Sequence, residues 1–357
     1  MLLFGVNMMG LGAWEWVKRF SILLIGLVLI GYGAAIAGSP EPVSKTNTGS
    51  LAADSGSKTL TFSKDRDVEF YLTSGLRKDS LDWSIAGTSA GTNPNVLSEL
   101  DWSNVDSYQV TLANRSRFLR HIHCRTTFSY AGIQDGTLRD SDYDGDHKTM
   151  ERSRSISESK GYEMWDFSTA GGYAFVLYHD RLLVAPMLGV SYHKQNLRIT
   201  NGFQVVSDGS TAPAVGPLSS QLDSGYFARW MGPWIGVDLR YLTEKRGPDY
   251  LTMAFGLSVE FHHTDYYGEG NWNLRSDLAH PKSFEHEADG YGICISGEWL
   301  ITLAAHWDLA FNANYQHWST SSGTDRKFLA SGGSSVTRLN EVNWTNSSFM
   351  VGANFHF

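Results

Sequence analysis

Alternation of apolar and polar residues with a period of two restricts the fold of this chain more than any other feature. In the C-terminal segment SFMVGANFHF, the alternate positions on one face are all apolar or small: Phe349, Val351, Ala353, Phe355 and Phe357. Successive side chains of a strand point to opposite faces, so this segment has one apolar and one more polar face. The pattern predicts a β-strand that ends at the last residue of the sequence.

Three other segments repeat the alternation: YLTMAFGLSVEFHHT, WMGPWIGVDLRYL and HWDLAFNANYQHW. Their second face carries charged groups such as Asp238, Arg240 and Glu260. We interpret the apolar face as the outer one and the polar face as the lining of an enclosed interior, the inverse of a soluble sandwich. A bilayer suits this pattern, and strands can cross a bilayer only as a closed barrel that satisfies every backbone polar group.

Composition agrees with a strand-rich membrane protein. The chain has 36 glycines, 13% aromatic residues and 42% hydrophobic residues, which is too polar for a bundle of membrane helices. The net charge of −8 argues against a nucleic-acid partner.

The N-terminal segment is predicted to be a secretory signal peptide. Lys18 and Arg19 precede the apolar run FSILLIGLVLIGYGAAIA, which closes on small residues at Ala35 and Ala37. A membrane anchor is the alternative, because the run is almost long enough to span, but its small residues favour cleavage. We therefore divide the chain into a signal peptide (1–37), a periplasmic linker (38–66) and a barrel (67–357).

The predicted fold class is all-β: an antiparallel transmembrane β-barrel of about ten strands with short periplasmic turns and long extracellular loops. The predicted strands are 67–77, 105–114, 118–132, 162–178, 182–198, 223–243, 250–264, 286–301, 307–318 and 343–357. The predicted long polar loops are 78–104, 133–161, 199–222, 265–285 and 319–342.

The register of these strands assigns individual side chains to the lipid or to the lumen. Cys124 should face lipid and Cys294 the lumen, so the two cysteines should remain unpaired. Aromatic girdles at the membrane interfaces are expected at Trp165, Trp299, Trp307, Tyr315 and Trp344. We interpret the lumen as a salt-bridged plug rather than a narrow channel, because side chains fill most of a barrel of this size. The expected lumen residues are Asp166, Asp238, Arg240, Glu260, His262, Glu298, Asp308, Asn312 and Asn314.

The segment DSDYDGDHKTME fits the ligand pattern of a calcium-binding loop. The acidic positions are Asp140, Asp142, Asp144 and Glu151, and Gly145 occupies the turn. Its flanks have the period of strands rather than helices, so we predict an acidic extracellular loop and not a helix–loop–helix calcium sensor. Calcium binding by its carboxylates and a solvated loop near anionic lipopolysaccharide, bridged by divalent ions, remain as alternatives.

Three short motifs accompany the ten strands: KTLTFS before the first strand, SELDW (98–102) before the second and DSDYD after the third. In its ten strands and in these motifs the chain resembles the omptin family of outer-membrane proteases. The likeness covers nearly all of residues 58–357. It implies that Asp140 and Asp142 match an aspartate pair that faces an Asp-x-His dyad across the barrel mouth. In that family a water between the two pairs attacks the scissile carbonyl of a peptide.

The sequence departs from the omptin pattern at the dyad, where counting back from the eighth strand places Glu269 and Asn271. An asparagine amide neither gains nor loses a proton in the relevant range, so the histidine base is missing. Candidate substitutes are His262, which points inward beside Glu260, and His280, with a misaligned pair of Asp277 and His280 as a further alternative.

Three functions are possible, and the first is the one that the omptin resemblance implies. One is an omptin-type endopeptidase of the outer membrane that cleaves next to basic residues, requires no metal or cofactor and depends on lipopolysaccharide. Another is an inactive omptin-like barrel that acts as an adhesin, structural or ligand-binding protein, and the third is a narrow channel. The resemblance also implies contacts to lipopolysaccharide phosphates through basic residues of the outer face, here Lys148, Arg152, Arg154 and Lys160.

Overall fold

The computed structural model describes residues 68–243 and 252–357. The predicted signal peptide and linker lie outside the described residues, as does the predicted turn around 244–249. The described chain forms one antiparallel β-sheet, with a single turn of 3-10 helix at Asp146–Lys148. None of its helical structure has the length and apolar character that a membrane-crossing helix requires.

Most of the strands are longer than the sequence predicted. Their bounds are β1 Val68–Ile85, β2 Ser98–Phe118, β3 Ile122–Gly145, β4 Thr149–Glu158, β5 Glu163–Tyr173, β6 Phe175–Leu177, β7 Leu182–Ser207, β8 Gly216–Pro217, β9 Ser224–Leu242, β10 Met253–Asn271, β11 Phe284–Ala304, β12 Trp307–Thr320, β13 Gly323–Phe328 and β14 Ser334–His356.

Ten of these strands close into a barrel in the order β1, β2, β3, β5, β7, β9, β10, β11, β12 and β14, with β14 pairing back onto β1. The remaining strands are short or extend the wall. Strand β4 lies between β3 and β7, as β5 does, and β13 lies between β11 and β14, as β12 does. The expectation of about ten strands is confirmed for the closed circuit, and closure leaves no unpaired sheet edge there.

One section of the wall has an apolar outer surface, and we call it the membrane band. On β1, Leu72 and Leu76 are 60% and 64% exposed, whereas Thr73 and Arg77 are buried inside. On β14, Phe349 is 56% exposed and Met350 is buried. The predicted register, with apolar side chains outside and polar ones inside, is therefore confirmed. Hydrocarbon outside the wall explains why this face is apolar.

Toward the long-loop end the polarity of the two faces reverses, and we call this section the collar. On β1, Ser80 and Asp82 point outward, whereas Leu81, Trp83 and Ile85 are buried in the interior. Water in place of hydrocarbon around the wall accounts for the reversal, since a barrel in water must bury its apolar face. The prediction of long irregular loops is wrong for much of this region, because outward polar residues of strands resemble loop residues in sequence.

The collar interior is filled by an aromatic core built around five buried indole rings: Trp83, Trp102, Trp230, Trp318 and Trp344. The Trp230 ring lies 5.9 Å from that of Trp318 and 6.2 Å from that of Trp344, between ring centroids. Tyr266 packs on Trp230 at 4.5 Å. The expectation that Trp344 belongs to an interfacial girdle is wrong, because its even position on β14 points inward.

Buried ion pairs fill the lumen of the membrane band. Arg115 on β2 lies 3.3 Å from Glu69 on β1 and 3.1 Å from Glu298 on β11. Arg240 on β9 lies 2.9 Å from the same Glu69 and 3.4 Å from Glu298. These contacts join strands on different sides of the barrel, as the predicted salt-bridged plug requires. The predicted lumen residues lie on the inner face.

Both cysteines are free, as predicted. Cys294 lies on the inner face of β11 and is buried. Cys124 lies on the outer register of β3, which it shares with Ile122 and Phe128, but only 3% of it is exposed. Its side chain is covered by its surroundings on the outer wall rather than freely presented to lipid.

Candidate functional site

The candidate site lies at the mouth of the collar, where β3 brings Asp140 and Asp142 to its inner face. Asp140 is paired with Leu100 of β2 and Asp142 with Ser98, and both carboxylates are partly buried. Burial and the negative charge of Asp142 raise the pKa of Asp140 well above its usual range. The structure thus brings together the two aspartates that the sequence singled out, and it favours a proton on one of them.

A positive group that acts on Asp140 is Arg275, from the segment between β10 and β11. Its charge opposes the upward shift in the pKa of Asp140. Arg275 itself donates two hydrogen bonds to Asp277, at 2.8 and 2.7 Å, and these hold the pKa of the Asp277 carboxyl down at about 2. Asp277 is therefore an ion-pair partner of an arginine and does not orient a histidine.

The predicted dyad residues do not face the aspartate pair. Glu269 and Asn271 lie on the outer register of β10, and their neighbours Gly268 and Gly270 take the inner one. Tyr267 donates a 2.9 Å hydrogen bond to Glu269 on that outer side. The proposed opposition of Glu269 and Asn271 to Asp140 and Asp142 is therefore wrong in geometry, because alternation along β10 sends both side chains outward.

Aromatic side chains occupy the space that an inward dyad would need. A Cβ at Gly268 would overlap the Tyr226 hydroxyl, and a Cβ at Gly270 would overlap the Phe284 ring. The hydroxyl oxygens of Tyr226 and Tyr266 form a hydrogen bond of 2.5 Å, and the Tyr226 hydroxyl lies 2.9 Å from Nδ1 of His286. Sequence reasoning missed these residues, although continuing the inward register of Glu260 and His262 along β10 leads directly to the two glycines.

The alternative histidines lie elsewhere. His262 is buried in the lumen, with Nε2 3.1 Å from Glu260 and its ring centroid 4.7 Å from that of Trp318. His280 is exposed, and its Nδ1 lies 2.9 Å from Oδ1 of Asn271. Neither imidazole forms a hydrogen bond or an ion pair with Asp140 or Asp142 in the part of the chain that the structure describes.

The calcium-like segment folds as the hairpin of β3 and β4 rather than as a coordination loop. Arg152 lies 3.9 Å from Asp142 and 3.6 Å from Asp144, and Glu151 accepts a 2.7 Å hydrogen bond from Arg154. Among residues 68–243 and 252–357, these carboxylates do not form a group with ligand spacing. Calcium binding by Asp140, Asp142, Asp144 and Glu151 stays a prediction, and the arginines compete with it.

The basic residues expected to contact lipopolysaccharide phosphates are paired with carboxylates. Lys148 bonds Glu99, and Lys160 lies 2.6 Å from Glu158. Arg152 and Arg154 hold the acidic residues of the hairpin. Contacts to lipopolysaccharide stay a prediction, and these internal ion pairs would have to rearrange for it.

Asp140→Asn is expected to stabilise the barrel at alkaline pH. A raised folded pKa means that the protonated form is favoured in the folded state, so wild-type stability from this group is lost as pH rises through the folded pKa. The amide of asparagine does not ionise, so the variant avoids this loss of stability at high pH. Below the usual pKa of aspartate the wild-type carboxyl is neutral as well, so the substitution gives no stabilisation there. Urea midpoints of the two proteins at about pH 3 and about pH 9 measure the difference.

Asp144→Asn is the matched control for Asp140→Asn, because the Asp144 side chain is 52% exposed on the same hairpin. Its effect on the urea midpoint should be small at both pH values. An equal effect of the two substitutions would contradict the assignment of the pH dependence to Asp140.

A family model and a solved structure both agree with the barrel fold. The family model described as Pom, Protochlamydia outer membrane protein, matches residues 71–357. No curated protein matches the chain.

Among solved structures, the outer membrane protease OmpT from Escherichia coli superposes with a TM-score of 0.67 at 13% identity, covering 84% of this chain and 99% of that one. This likeness shows a shared fold. The translocator domain of the autotransporter NalP from Neisseria meningitidis, at 10% identity, covers 83% of this chain and 91% of that one with a TM-score of 0.33. OprG from Pseudomonas aeruginosa, also at 10% identity, covers 82% and 97% with a TM-score of 0.31.

Proposed function

The chain belongs to the Protochlamydia outer membrane protein family, and we propose that it is a closed omptin-like barrel of the outer membrane without omptin catalysis. Its role is structural, carried by the wall and by a collar that stands beyond the bilayer. The observation that carries this proposal is the pair of inward glycines, Gly268 and Gly270, on the strand segment where the omptin resemblance requires an acid and a base.

The chemistry supports a loss of proteolysis. Attack of water on a peptide carbonyl near neutral pH needs a group that accepts a proton within hydrogen-bond reach. Neither candidate histidine supplies that group at the aspartate pair among the described residues, because Nε2 of His262 lies on Glu260 and Nδ1 of His280 lies on Asn271. Losing a positioned general base costs on the order of 10²–10⁴ in rate.

The interior supports a closed barrel rather than a channel. The aromatic core fills the collar, and Trp318 and Trp344 stack there at 5.5 Å between ring centroids. Below the aromatic core, Arg115 and Arg240 tie Glu69 to Glu298 across the lumen. Water and ions would have to displace both layers to pass.

Refolded wild-type barrel is expected to leave fluorogenic Arg-Arg and Arg-Lys peptides uncut, with or without lipopolysaccharide, and to show no stepwise conductance in planar bilayers. An active omptin protease assayed beside it verifies the substrates, and Asp142→Asn is the matched variant of this chain. Cleavage that Asp142→Asn abolishes would establish a protease instead. Stepwise conductance of the wild type would establish a channel.

A further inference from the structure

Three potential metal ligands meet inside the lumen, on strands β10 and β11. Glu260 and His262 are two residues apart on β10 and both point inward, and Cys294 of β11 is the direct cross-strand partner of Glu260. One ligand atom from each of the three lies within 4.8 Å of the other two, and all three residues are buried. Cross-strand partners and residues two apart share a face, so the sheet itself brings these groups together.

Hydrogen bonds hold the imidazole in place and leave the two oxygens of Glu260 with different partners. Ser191 Oγ lies 3.0 Å from Nδ1 of His262, and Oε2 of Glu260 lies 3.1 Å from Nε2. Arg125 donates to the other oxygen, Oε1, at 2.6 Å. If Nδ1–H donates to Ser191, then Nε2 presents its lone pair toward Oε2, and a cation fits between two such acceptors.

A second histidine in the same cavity has a nitrogen without a partner. His193 of β7 bonds Asp166 through Nδ1 at 2.8 Å, and its buried Nε2 has no hydrogen-bond partner among residues 68–243 and 252–357. Its ring centroid lies 6.3 Å from that of His262. A carboxylate on one ring nitrogen is the usual way in which a protein orients the other toward a metal. The cavity of about 180 Å³ is lined by His193, His262, Glu260 and Cys294.

We propose that the lumen binds one zinc ion through Glu260, His262 and Cys294, with the fourth position open to water or to Nε2 of His193. A thiolate, an imidazole and a carboxylate form a ligand set typical of zinc, whereas calcium and magnesium prefer oxygen ligands alone. Tetrahedral ligands of zinc lie roughly 3.3–3.8 Å apart, so small side-chain rotations close the observed group around the ion.

The charges around the cavity are compatible with this ion. Cys294 releases its proton on binding, and the resulting thiolate and Glu260 balance the two charges of zinc. Arg125 keeps Asp238 as its second partner, at 3.3 Å, and so stays neutralised. The ion would join β10 to β11, and through His193 it would also reach β7.

Zinc content is the direct test. Barrel refolded with zinc chloride and desalted should retain about one zinc per chain by mass spectrometry, because the aromatic core closes the lumen above the site. Cys294→Ser should reduce the zinc retained at limiting metal by roughly tenfold or more. Asp166→Asn acts through His193, so it should reduce the retained zinc by roughly 10-fold to 100-fold if that imidazole is the fourth ligand. Cys124→Ser, which removes the other buried thiol, should retain zinc.

Cobalt substitution gives a readout that does not require a folded variant. Wild-type barrel refolded with cobalt should show a thiolate-to-cobalt charge-transfer band and the visible absorption of a tetrahedral ion. Zinc well below one per chain, or an absent thiolate band in the wild type, would overturn the proposal. So would zinc retention by folded Cys294→Ser equal to that of Cys124→Ser, since the three side chains would then form only a hydrogen-bonded cluster.

Discussion

Replacing Arg115 with methionine is expected to lower the free energy of unfolding by about 3–5 kcal/mol, because the substitution removes one of the two arginines that neutralise a pair of buried carboxylates. Arg115 lies within 3.3 Å of both Glu69 and Glu298, whose side chains are 1% and 9% exposed. After the change, Arg240 still lies 2.9 Å from Glu69 and 3.4 Å from Glu298. Urea unfolding in detergent micelles, followed by tryptophan fluorescence, measures the loss.

Lys78→Met provides the control for Arg115→Met. Lys78 lies 3.7 Å from Asp106 on the outer surface, where both side chains are more than half exposed, so its loss should cost about 0–1 kcal/mol. Adding Glu298→Gln to Arg115→Met should recover part of the stability, since it removes the excess negative charge. Equal losses for Arg115→Met and Lys78→Met would show that the lumen network does not stabilise the barrel.

Trp230→Ala is expected to cost about 3–5 kcal/mol, the range for truncating a large aromatic residue in a core. Trp230 is fully buried and packs on Tyr266, Trp318 and Trp344, so its removal leaves a cavity that the rigid wall cannot collapse into. The same urea titration measures the loss, followed by far-ultraviolet circular dichroism because the substitution removes a fluorophore.

Trp307→Ala is the matched substitution on the outer wall. The Trp307 indole is 49% exposed and packs on Phe355 alone among the aromatic rings of the described chain, so a much smaller loss is expected. A loss for Trp307→Ala as large as that for Trp230→Ala would mean that the collar interior is not a packed core.

The membrane band and the collar adapt one chain to two surrounding solvents, hydrocarbon and water. In the membrane band, Leu72 and Leu76 of β1 face hydrocarbon and the wall encloses ion pairs. In the collar, β1 buries Leu81 and Trp83 inside and exposes Asp82 to water. The interior therefore changes from charged to apolar along a single strand. The proposed structural role is consistent with this closed interior.

The register of the strands was readable from the sequence wherever the apolar face was long enough. Phe349 and Val351 on β14 and Phe255 and Leu257 on β10 all point outward as expected. The same parity, extended along β10, would have placed Glu269 on the outer face. The prediction instead followed the omptin resemblance, which aligned residues by count and not by face.

The sequence by itself determined a closed transmembrane barrel, its ten-strand circuit and the lumen position of its charged residues, because strand alternation and membrane burial act on neighbouring residues along one chain. Only the tertiary structure decided what occupies the mouth and where the strands end. Those features depend on side chains from distant strands, such as Phe284 filling the space above Gly270, and on the height at which the solvent outside the wall changes from lipid to water. Neither the packing of distant rings nor the position of the bilayer is encoded in a local pattern of residues.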